Sequence, residues 1–394
     1  MKSLKVKKGE LPSIIHIPSS KSYANRMLIL ASLNKGPFQL DNLPAASDVI
    51  HLIHSLEQVG LLIERNGNSL TVINSFPQCE RDLANEISVG EGGTTARFLA
   101  AMLVKGSRPY TLLLGPRLSQ RPWDEFINFV NQYGGKAKLL ERRLYLQGPL
   151  NLPKKVRVDC SRTTQFASAV MMSFSSRTEV IPENMNSSHS YWNLTLQNIL
   201  DMQKSEVYSI PLDWSSASYP LAYAALAQKT EFPGLKFDPF QSDAKFFNIL
   251  KSFSAIESYE GGIRVNPVKE PRSIEVDVSD CLDLVPALAF FLSHIEGRHI
   301  LKGVSNLVHK ESDRLTEVMK LLKKFERIAG TEGDDLLIEG SKLILTTPQD
   351  LILPDDHRMV MTAGMFLRLH AGGSLTPAEA VDKSYPGFFN LFLD

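Results

Sequence analysis

Cysteine is scarce in this sequence, with three residues, Cys79, Cys160 and Cys281, far apart among 394 positions. An odd number without a CxxC pair gives neither a disulfide framework nor a cysteine zinc motif. The opening residues, MKSLKVKKGELPS, lack the apolar region of a signal peptide. We therefore interpret the cysteines as small core residues and expect a cytoplasmic protein.

The sequence also lacks net charge, because 43 lysines and arginines balance 43 aspartates and glutamates. A neutral chain has no overall field to attract nucleic acid or an anionic membrane, so neither is expected as the main partner. No apolar run approaches the roughly 18 residues of a membrane span. The nine histidines never occur as HxxxH or HExxH, so no catalytic metal is expected.

The most regular feature present is a repeated unit of an amphipathic helix with a polar start, a break and a short strand. Full copies begin at Ser47, Arg121, Ser242 and Ser312, and looser copies begin at Tyr191 and Ser384. Apolar residues in each copy recur at helical spacing, and a leading serine or aspartate is a good N-cap. Six units predict an α/β protein built by internal duplication, with two domains of three units each.

Eight polar clusters lie at the ends of expected helices, some of them overlapping the start of a repeat. They read IPSSKSYANR, VGEGGTTAR, GPRLSQRP, DCSRTTQ, DLVPAL, NLVHKESDRL, PDDHRM and VDKSYPG, and all except DLVPAL, which begins with Asp283, combine a cation with hydroxyl, amide or carboxylate side chains. Free N–H groups and the helix dipole favour an anion at a helix start. One such cluster is more often a solvated helix end, but eight together predict an anion-binding cleft between two domains.

Six segments, five of them within these clusters, resemble in order the signature motifs of the 3-phosphoshikimate 1-carboxyvinyltransferase (EPSP synthase) family: SKSYANR, GEGGTTAR, PRLSQRP, DWSSASY, HKESDRL and DDHRM. The resemblance extends over nearly the whole chain. It implies a two-domain inside-out α/β barrel with three βαβαββ repeats in each domain. Residues 20–212 are expected to form the first domain and residues 1–19 with 213–394 the second, with the active site in the cleft between them.

The reaction implied by the resemblance transfers the enolpyruvyl group of phosphoenolpyruvate to the 5-hydroxyl of shikimate 3-phosphate and releases phosphate, a step of aromatic amino acid biosynthesis. It uses no metal and no organic cofactor. The two substrates together carry about six negative charges. The matching motifs provide seven cations: Lys21, Arg26, Arg121, Lys310, Arg314, Arg358 and Lys383.

The resemblance also assigns roles to individual residues. Asp283 is expected to be the general base, Glu311 the general acid, and Lys21 a catalytic residue that contacts both substrates. The shikimate 3-phosphate site is expected to comprise Lys21, Ser22, Arg26, Thr163, Thr164, Ser188, Asp283, Asn306 and Lys310, with Tyr191 as a wall. The phosphoenolpyruvate site is expected to comprise Lys21, Gly93, Arg121, Gln165, Arg314, Arg358 and Lys383.

Two carboxylates raise questions that the motifs leave open. Glu311 needs a raised pKa to donate a proton near neutral pH. Its neighbour Lys310 would lower that pKa, so we expect bound phosphate to engage Lys310 and leave Glu311 near negative charge. Glu91 stands where the family usually has asparagine, and either adjoins the phosphoenolpyruvate site or points outward and caps the helix at Thr94.

Three other functions remain as alternatives. A UDP-N-acetylglucosamine enolpyruvyl transferase typically has a reactive cysteine or aspartate in the loop that reads GPRLSQRP here. A non-catalytic phosphometabolite-binding homologue would not require Asp283, Glu311 and Lys21. A nucleic-acid-processing protein of similar repeat architecture disagrees with the zero net charge. We therefore expect two small-molecule substrates as partners, and a monomer.

Overall fold

The structure is a computed structural model that describes residues 2–80, 86–185 and 188–393. The chain divides into two compact units. The first unit is Ser19–Pro211, and the second unit combines Met1–Pro18 with Leu212–Asp394.

The first unit alternates helices with short sheets. Its helices are α1 (Lys21–Leu33), α2 (Ser47–Val59), α3 (Gly93–Leu103), α4 (Asp124–Gln132), α5 (Gln165–Phe174) and α6 (His189–Met202). Its strands, numbered along the whole chain, are β2 (Phe38–Asp41), β3 (Ile63–Asn66), β4 (Ser69–Val72), β5 (Glu86–Gly90), β6 (Pro109–Leu114), β7 (Lys136–Leu140), β8 (Arg143–Gln147), β9 (Lys155–Asp159), β10 (Glu179–Glu183) and β11 (Val207–Ser209). The sheet orders are β11-β2-β4-β3, β5-β6-β8-β7 and β10-β9.

The second unit follows the same plan. Its helices are α7 (Trp214–Ala227), α8 (Lys245–Ser252), α9 (Val285–Leu292), α10 (Arg314–Lys324) and α11 (His357–Leu369). Its strands are β1 (Leu4–Val6), β12 (Thr230–Pro233), β13 (Ile256–Tyr259), β14 (Gly262–Val265), β15 (Glu275–Asp277), β16 (Gly297–Lys302), β17 (Ile328–Glu332), β18 (Asp335–Gly340), β19 (Gln349–Ile352) and β20 (Gly373–Thr376). The sheet orders are β12-β14-β13, β15-β16-β18-β17 and β1-β20-β19.

Each full copy of the sequence repeat forms a helix followed by an antiparallel hairpin. The four pairs are α2 with β3–β4, α4 with β7–β8, α8 with β13–β14, and α10 with β17–β18. The repeated sequence pattern predicts one strand after each helix. In the structure a tight turn leads from that strand into a second one. Gly67 and Gly333 make two of these turns at φ values of 61° and 57°, a left-handed conformation that favours glycine. The terminal copy differs, because its only described element after Ser384 is a 3-10 helix, Phe388–Phe392.

The core of each unit is made of helices, and the sheets cover it. In the first unit α1, α3 and α5 contact one another, and in the second unit α7, α9 and α11 do. Every residue of α9, with the sequence VPALAFFL, is buried, which is typical of a helix enclosed on all sides. Covering strands such as β9 instead alternate exposed and buried residues. The structure thus confirms the predicted α/β architecture.

Two further expectations concern the cysteines and membrane-spanning helices. All three cysteines are buried, as expected of small core residues. None of the helices in the described ranges has the length and apolar character needed to cross a bilayer.

The second unit buries a hydrogen-bonded pair of histidines. The Nε2 atoms of His294 and His370 lie 2.9 Å apart, and the N–H of Leu345 donates to His370 Nδ1. His294 Nδ1 lies 2.7 Å from the carbonyl oxygen of Phe290. Two neutral rings satisfy all three bonds, with His370 Nε2–H donating to His294 Nε2. Burial, reinforced by the nearby Arg327 guanidinium, lowers the pKa of His370 to about 3 and holds that of His294 well below its usual value.

We expect this pair to make the free energy of unfolding fall as the pH drops below about 6.5, the usual histidine pKa. The unfolded chain protonates both histidines there and the folded chain does not, so stability is intact above that pH and declines below it. The two linked protons contribute a slope of at most about 2.7 kcal/mol per pH unit. Chemical denaturation between pH 7.5 and 5 measures the slope.

The matched variant is His370→Asn, because its side-chain oxygen can still accept the Leu345 N–H. Its slope is expected to be shallower by up to about 1.4 kcal/mol per pH unit. A His370→Asn slope equal to that of the wild type would contradict the account.

Candidate active site

Five of the predicted phosphoenolpyruvate ligands lie in the first two residues of a helix. Lys21 begins α1, Gly93 begins α3 and Gln165 begins α5. In the second unit, Arg314 begins α10 and Arg358 is the second residue of α11. The unsatisfied N–H groups and the dipole at a helix start favour anions. Each unit therefore contains its own cluster of predicted ligands.

In the first unit, Lys21 is held by a buried carboxylate. Its Nζ lies 2.9 Å from Oδ2 of Asp48, whose side chain is 5% exposed. Thr95 Oγ1 donates to the backbone carbonyl of Asp48, so the starts of α1, α2 and α3 are linked. A larger residue in place of Gly92 would collide with this junction, because its Cβ would lie 2.7 Å from Thr95 Oγ1 and 2.9 Å from the Asp48 carboxyl carbon.

Gly93, Arg121 and Gln165 lie together beside this junction. A Cβ on Gly93 would lie 2.6 Å from Arg121 Nη1 and 3.3 Å from Gln165 Oε1. Glycine therefore lets the guanidinium and the amide approach the start of α3. Gln165 Oε1 accepts a hydrogen bond from Arg97, a buried residue that the sequence argument did not assign to the site. An arginine inside the otherwise apolar stretch ARFLAAML was the available signal.

Arg26 is committed to bonds inside the first unit. It is 1% exposed and donates to Thr195 Oγ1 and to the carbonyl oxygens of Ser22 and Tyr191. Its guanidinium also lies 5.7 Å from the centre of the Tyr191 ring. Burial lowers the pKa of Arg26 to about 10. Arg26 thus joins α1 to α6, and its direct contact with a substrate stays a prediction.

The remaining predicted acceptor-site residues occupy element boundaries. Thr163 Oγ1 accepts from the N–H of Gln165, and the buried Thr164 immediately precedes α5. Ser188 precedes α6 in a left-handed conformation. In the second unit, Asn306 lies in the 3-10 helix Ser305–His309. The structure thus places both threonines at the start of α5 with Gln165, and the roles of all four stay predictions.

The carboxylate of Glu91 supports the loop that leads to Arg121. It accepts hydrogen bonds from the N–H groups of Arg117, at 3.3 Å, and Leu118, at 2.9 Å. A Cβ on Gly115 would lie 2.2 Å from its carboxyl carbon, so glycine there makes room for the carboxylate. Of the two alternatives for Glu91, capping of the helix at Thr94 is not observed, because α3 begins after Gly92 without a side-chain cap and the carboxylate bonds the neighbouring loop.

In the second unit, the predicted base Asp283 lies among three cations. Its Oδ1 is 2.7 Å from Arg314 Nη1 and 3.4 Å from Lys310 Nζ, and its Oδ2 is 3.0 Å from Arg358 Nη2. Burial alone would raise the pKa of Asp283, but Arg358, Lys310 and Arg314 together hold it well below its usual value. Without a ligand, Asp283 is thus an ionised carboxylate with a weak affinity for protons.

The predicted acid Glu311 is also ionised in this arrangement. Its Oε1 lies 3.0 Å from Lys383 Nζ, and its Oε2 lies 2.9 Å from His357 Nδ1 and 3.8 Å from Arg314 Nη2. Burial would raise the pKa of Glu311, but Lys383, His357 and Arg314 outweigh it and keep the pKa well below its usual value. The sequence pointed to Lys310 as the cation that acts on Glu311, whereas Lys383 and His357 have the largest effects.

Asp356, which the site prediction omitted, connects this cluster. It is fully buried and caps α11 by accepting the N–H of Arg358. The same carboxylate accepts from Arg314 Nε at 2.7 Å and from Ser312 Oγ at 2.9 Å. An aspartate just before a helix start is a recognisable N-cap signal, but its pairing with Arg314 requires the fold.

A fourth carboxylate, Asp243, lies behind Arg358. Its Oδ2 is 3.9 Å from Arg358 Nη1, and burial raises the pKa of Asp243 to about 7 although Arg358 opposes the shift. The second-unit cluster thus sets four cations, Lys310, Arg314, Arg358 and Lys383, against four carboxylates, Asp243, Asp283, Glu311 and Asp356. A count of seven cations against six substrate charges therefore overstates the positive charge available to the substrates, because four carboxylates already offset part of it.

The same cluster contains three groups close enough to share a metal ion. One ligand atom each from Glu311, Asp356 and His357 lies within 4.8 Å of the others. The guanidinium of Arg314, however, lies 2.7 Å from Asp356 and 3.8 Å from Glu311. A metal cation at this place would have to overcome repulsion from Arg314, so the donor set fits a guanidinium better than a metal.

Comparison with known proteins supports the family resemblance. The family model for EPSP synthase (3-phosphoshikimate 1-carboxyvinyltransferase) matches residues 6–203 and 185–392. The 3-phosphoshikimate 1-carboxyvinyltransferase of Methanothrix thermoacetophila is 30% identical over 416 aligned positions, which cover 98% of this chain and 96% of that protein.

Solved structures confirm the fold. The EPSP synthase of Acinetobacter baumannii superposes with a TM-score of 0.78 at 19% identity, covering 99% of this chain and 97% of the other. The enolpyruvyl transferase NikO from Streptomyces tendae gives 0.75 at 13% identity, with coverages of 99% and 96%. With its motifs in family order and matches over nearly its full length, the chain belongs to the EPSP synthase family.

Proposed function

We propose that this chain transfers the enolpyruvyl group of phosphoenolpyruvate to the 5-hydroxyl of shikimate 3-phosphate and releases phosphate. Family membership supports the substrates. The observation that carries the proposal is the network in which Arg314 contacts Asp283 at 2.7 Å and approaches Glu311 at 3.8 Å. One cation able to bind an anionic substrate thus adjoins both a potential base and a potential acid, which a protein that only binds phosphometabolites would not need.

The proposal assigns both clusters to one reaction. Phosphoenolpyruvate is bound by Lys21, Gly93, Arg121 and Gln165 of the first unit and by Arg314, Arg358 and Lys383 of the second. Shikimate 3-phosphate is bound by Lys21, Ser22, Arg26, Thr163, Thr164 and Ser188 together with Asp283, Asn306 and Lys310. The helix starts that carry many of these residues support an anion site. The chain is proposed to act as a cytoplasmic monomer, on the basis of its sequence.

Binding of phosphoenolpyruvate activates the acid and the base. Its carboxylate and phosphate suit the planar fork of Arg314 and Arg358, but both arginines are already paired with Asp283. The substrate therefore competes with that carboxylate for its cations and adds negative charge nearby. Both changes raise the pKa of Asp283, and the same competition for Lys383 raises the pKa of Glu311.

Two proton transfers then complete the addition. Asp283 takes the proton of the 5-hydroxyl while the oxygen bonds to C2 of phosphoenolpyruvate, and Glu311 gives a proton to the methylene carbon. The product is a tetrahedral intermediate that still carries its phosphate. Elimination returns a proton from the new methyl group to the protein and breaks the bond from C2 to the phosphate oxygen, and Arg314, Arg358 and Lys383 stabilise the departing charge.

Phosphate release is the direct test of this function. We expect the protein to release phosphate from phosphoenolpyruvate when shikimate 3-phosphate is present, and none when either substrate is omitted. UDP-N-acetylglucosamine serves as the alternative acceptor and is expected to give no release. Folded protein that releases no phosphate with shikimate 3-phosphate, or releases it without an acceptor, would overturn the proposal.

Glu311→Gln tests the acid, because the amide keeps the side-chain shape but cannot transfer a proton at this step. We expect kcat to fall by about 100-fold or more, with both KM values changed by only a few-fold. Glu317→Gln on α10 is the matched control, since Glu317 pairs with Lys320 away from this cluster, and its kcat is expected to stay near that of the wild type. A Glu311→Gln enzyme with wild-type kcat and pH–rate profile would contradict the assignment.

A further inference from the structure

Arg97 is a buried cation that forms no ion pair with any carboxylate of the described residues. It lies on α3, four residues after Gly93, and is 1% exposed. Its Nη1 donates to Gln165 Oε1 at 2.8 Å and its Nη2 to the carbonyl oxygen of Pro122 at 3.0 Å, while its Nε has no partner. Among the described residues, no aspartate or glutamate forms an ion pair with Arg97. Both of its hydrogen bonds are therefore made to neutral oxygens.

The surroundings leave this charge only partly compensated. The guanidinium faces the rings of Phe166 and Trp123, with centroids at 4.9 and 5.6 Å. Burial, with Arg121 as the next largest influence, holds the pKa of Arg97 well below its usual value. Glu125 is the acidic group that opposes this shift, but its carboxylate is already bonded to Arg162. Two neighbouring guanidinium groups near a helix start thus produce a positive electrostatic potential that favours binding of an anion.

The two hydrogen bonds of Arg97 fix groups on both sides of the predicted phosphoenolpyruvate site. Because Gln165 Oε1 accepts from Arg97, the amide NH2 of Gln165 must point elsewhere and is available as a donor. Pro122 directly follows Arg121, so its bonded carbonyl anchors the backbone next to that guanidinium. A Cβ on Gly93 would lie near both Arg121 Nη1 and Gln165 Oε1, so these two side chains lie close together at the start of α3.

We propose that Arg97 is a positioning residue for phosphoenolpyruvate: it orients the Gln165 amide so that its NH2 donates to the bound anion, and it anchors the chain after Arg121. Arg97 acts mainly through Gln165, and its bond to Pro122 and its charge make smaller contributions. Its effect is thus confined to phosphoenolpyruvate and leaves the acceptor substrate unaffected. This inference rests on the proposed function.

Steady-state kinetics of Arg97→Gln test the inference. We expect the KM for phosphoenolpyruvate to rise by about 10-fold to 100-fold, since a charge-assisted hydrogen bond and an orienting contact are lost, and the KM for shikimate 3-phosphate to change less than about twofold. Arg143→Gln is the matched control, because Arg143 is an exposed cation of the first unit that pairs with the exposed Glu86, and it is expected to leave both values near wild type. Equal changes in both KM values, or the same behaviour in the two variants, would overturn the proposal.

A double-mutant cycle with Gln165→Ala separates positioning from general destabilisation. If Arg97 acts largely through Gln165, Arg97→Gln raises the KM for phosphoenolpyruvate at most about threefold further in the Gln165→Ala background. Independent, multiplicative effects would overturn the inference.

Gln165→Glu provides a second test that does not depend on the folding of Arg97→Gln. The new carboxylate can pair with Arg97 and preserve the packing, but it replaces the NH2 donor with negative charge. The KM for phosphoenolpyruvate is expected to rise again by about tenfold or more, and an unchanged value would contradict the proposal. Wild-type protein that fails to turn over refutes the proposed function itself, whereas active wild type with an unshifted Arg97→Gln refutes only the role of Arg97.

Discussion

The second-unit cluster depends on the buried ion pair between Arg314 and Asp356. Arg314 is 2% exposed and Asp356 has no exposed side-chain surface, with 2.7 Å between Nε and Oδ2. Losing one partner of a buried pair leaves an uncompensated charge and costs about 3–5 kcal/mol. The pair joins the start of α10 to the start of α11. From that junction Arg314 reaches Asp283, and the first turn of α11 brings His357 to Glu311.

The two units differ in whether their buried cations are paired with carboxylates. In the second unit each of the four cations is paired with a carboxylate, and this pairing keeps the proposed base Asp283 and the proposed acid Glu311 ionised. The buried Asp243, with a pKa of about 7, is poised to take up a proton when Arg358 is engaged elsewhere. In the first unit Arg97 has no carboxylate partner within the described residues. Its charge therefore adds to the positive electrostatic potential at the start of α3. The first unit thus contains a buried cation without a paired carboxylate among the described residues, whereas the cations of the second-unit cluster are paired.

The sequence predicted the architecture well because its signals are local. Apolar spacing and N-cap residues locate the helices, whereas the second strand of each hairpin, after a turn such as the one at Gly67, was not predicted. The motifs also named Asp283 and Glu311, but they could not show what holds these carboxylates. Arg314 is separated from Asp356 by 42 positions, Arg97 from Gln165 by 68 and Arg358 from Asp283 by 75. These pairings arise only when helix starts from different repeats come together, which is why Asp356 and Arg97 were missed and Lys383 replaced Lys310 as the leading influence on Glu311.

The proposed mechanism requires phosphoenolpyruvate to raise the proton affinity of Asp283, Glu311 and Asp243 by binding the cations that pair with them. Calorimetry at pH 7.5, in buffers with different ionisation enthalpies, tests it directly. The acceptor site is filled with 5-deoxyshikimate 3-phosphate, which lacks the 5-hydroxyl that attacks phosphoenolpyruvate. Binding is therefore measured without turnover. Phosphoenolpyruvate is almost fully ionised at this pH, and the account predicts that its binding takes up on the order of one proton from the buffer. A binding enthalpy that is the same in every buffer would contradict the claim.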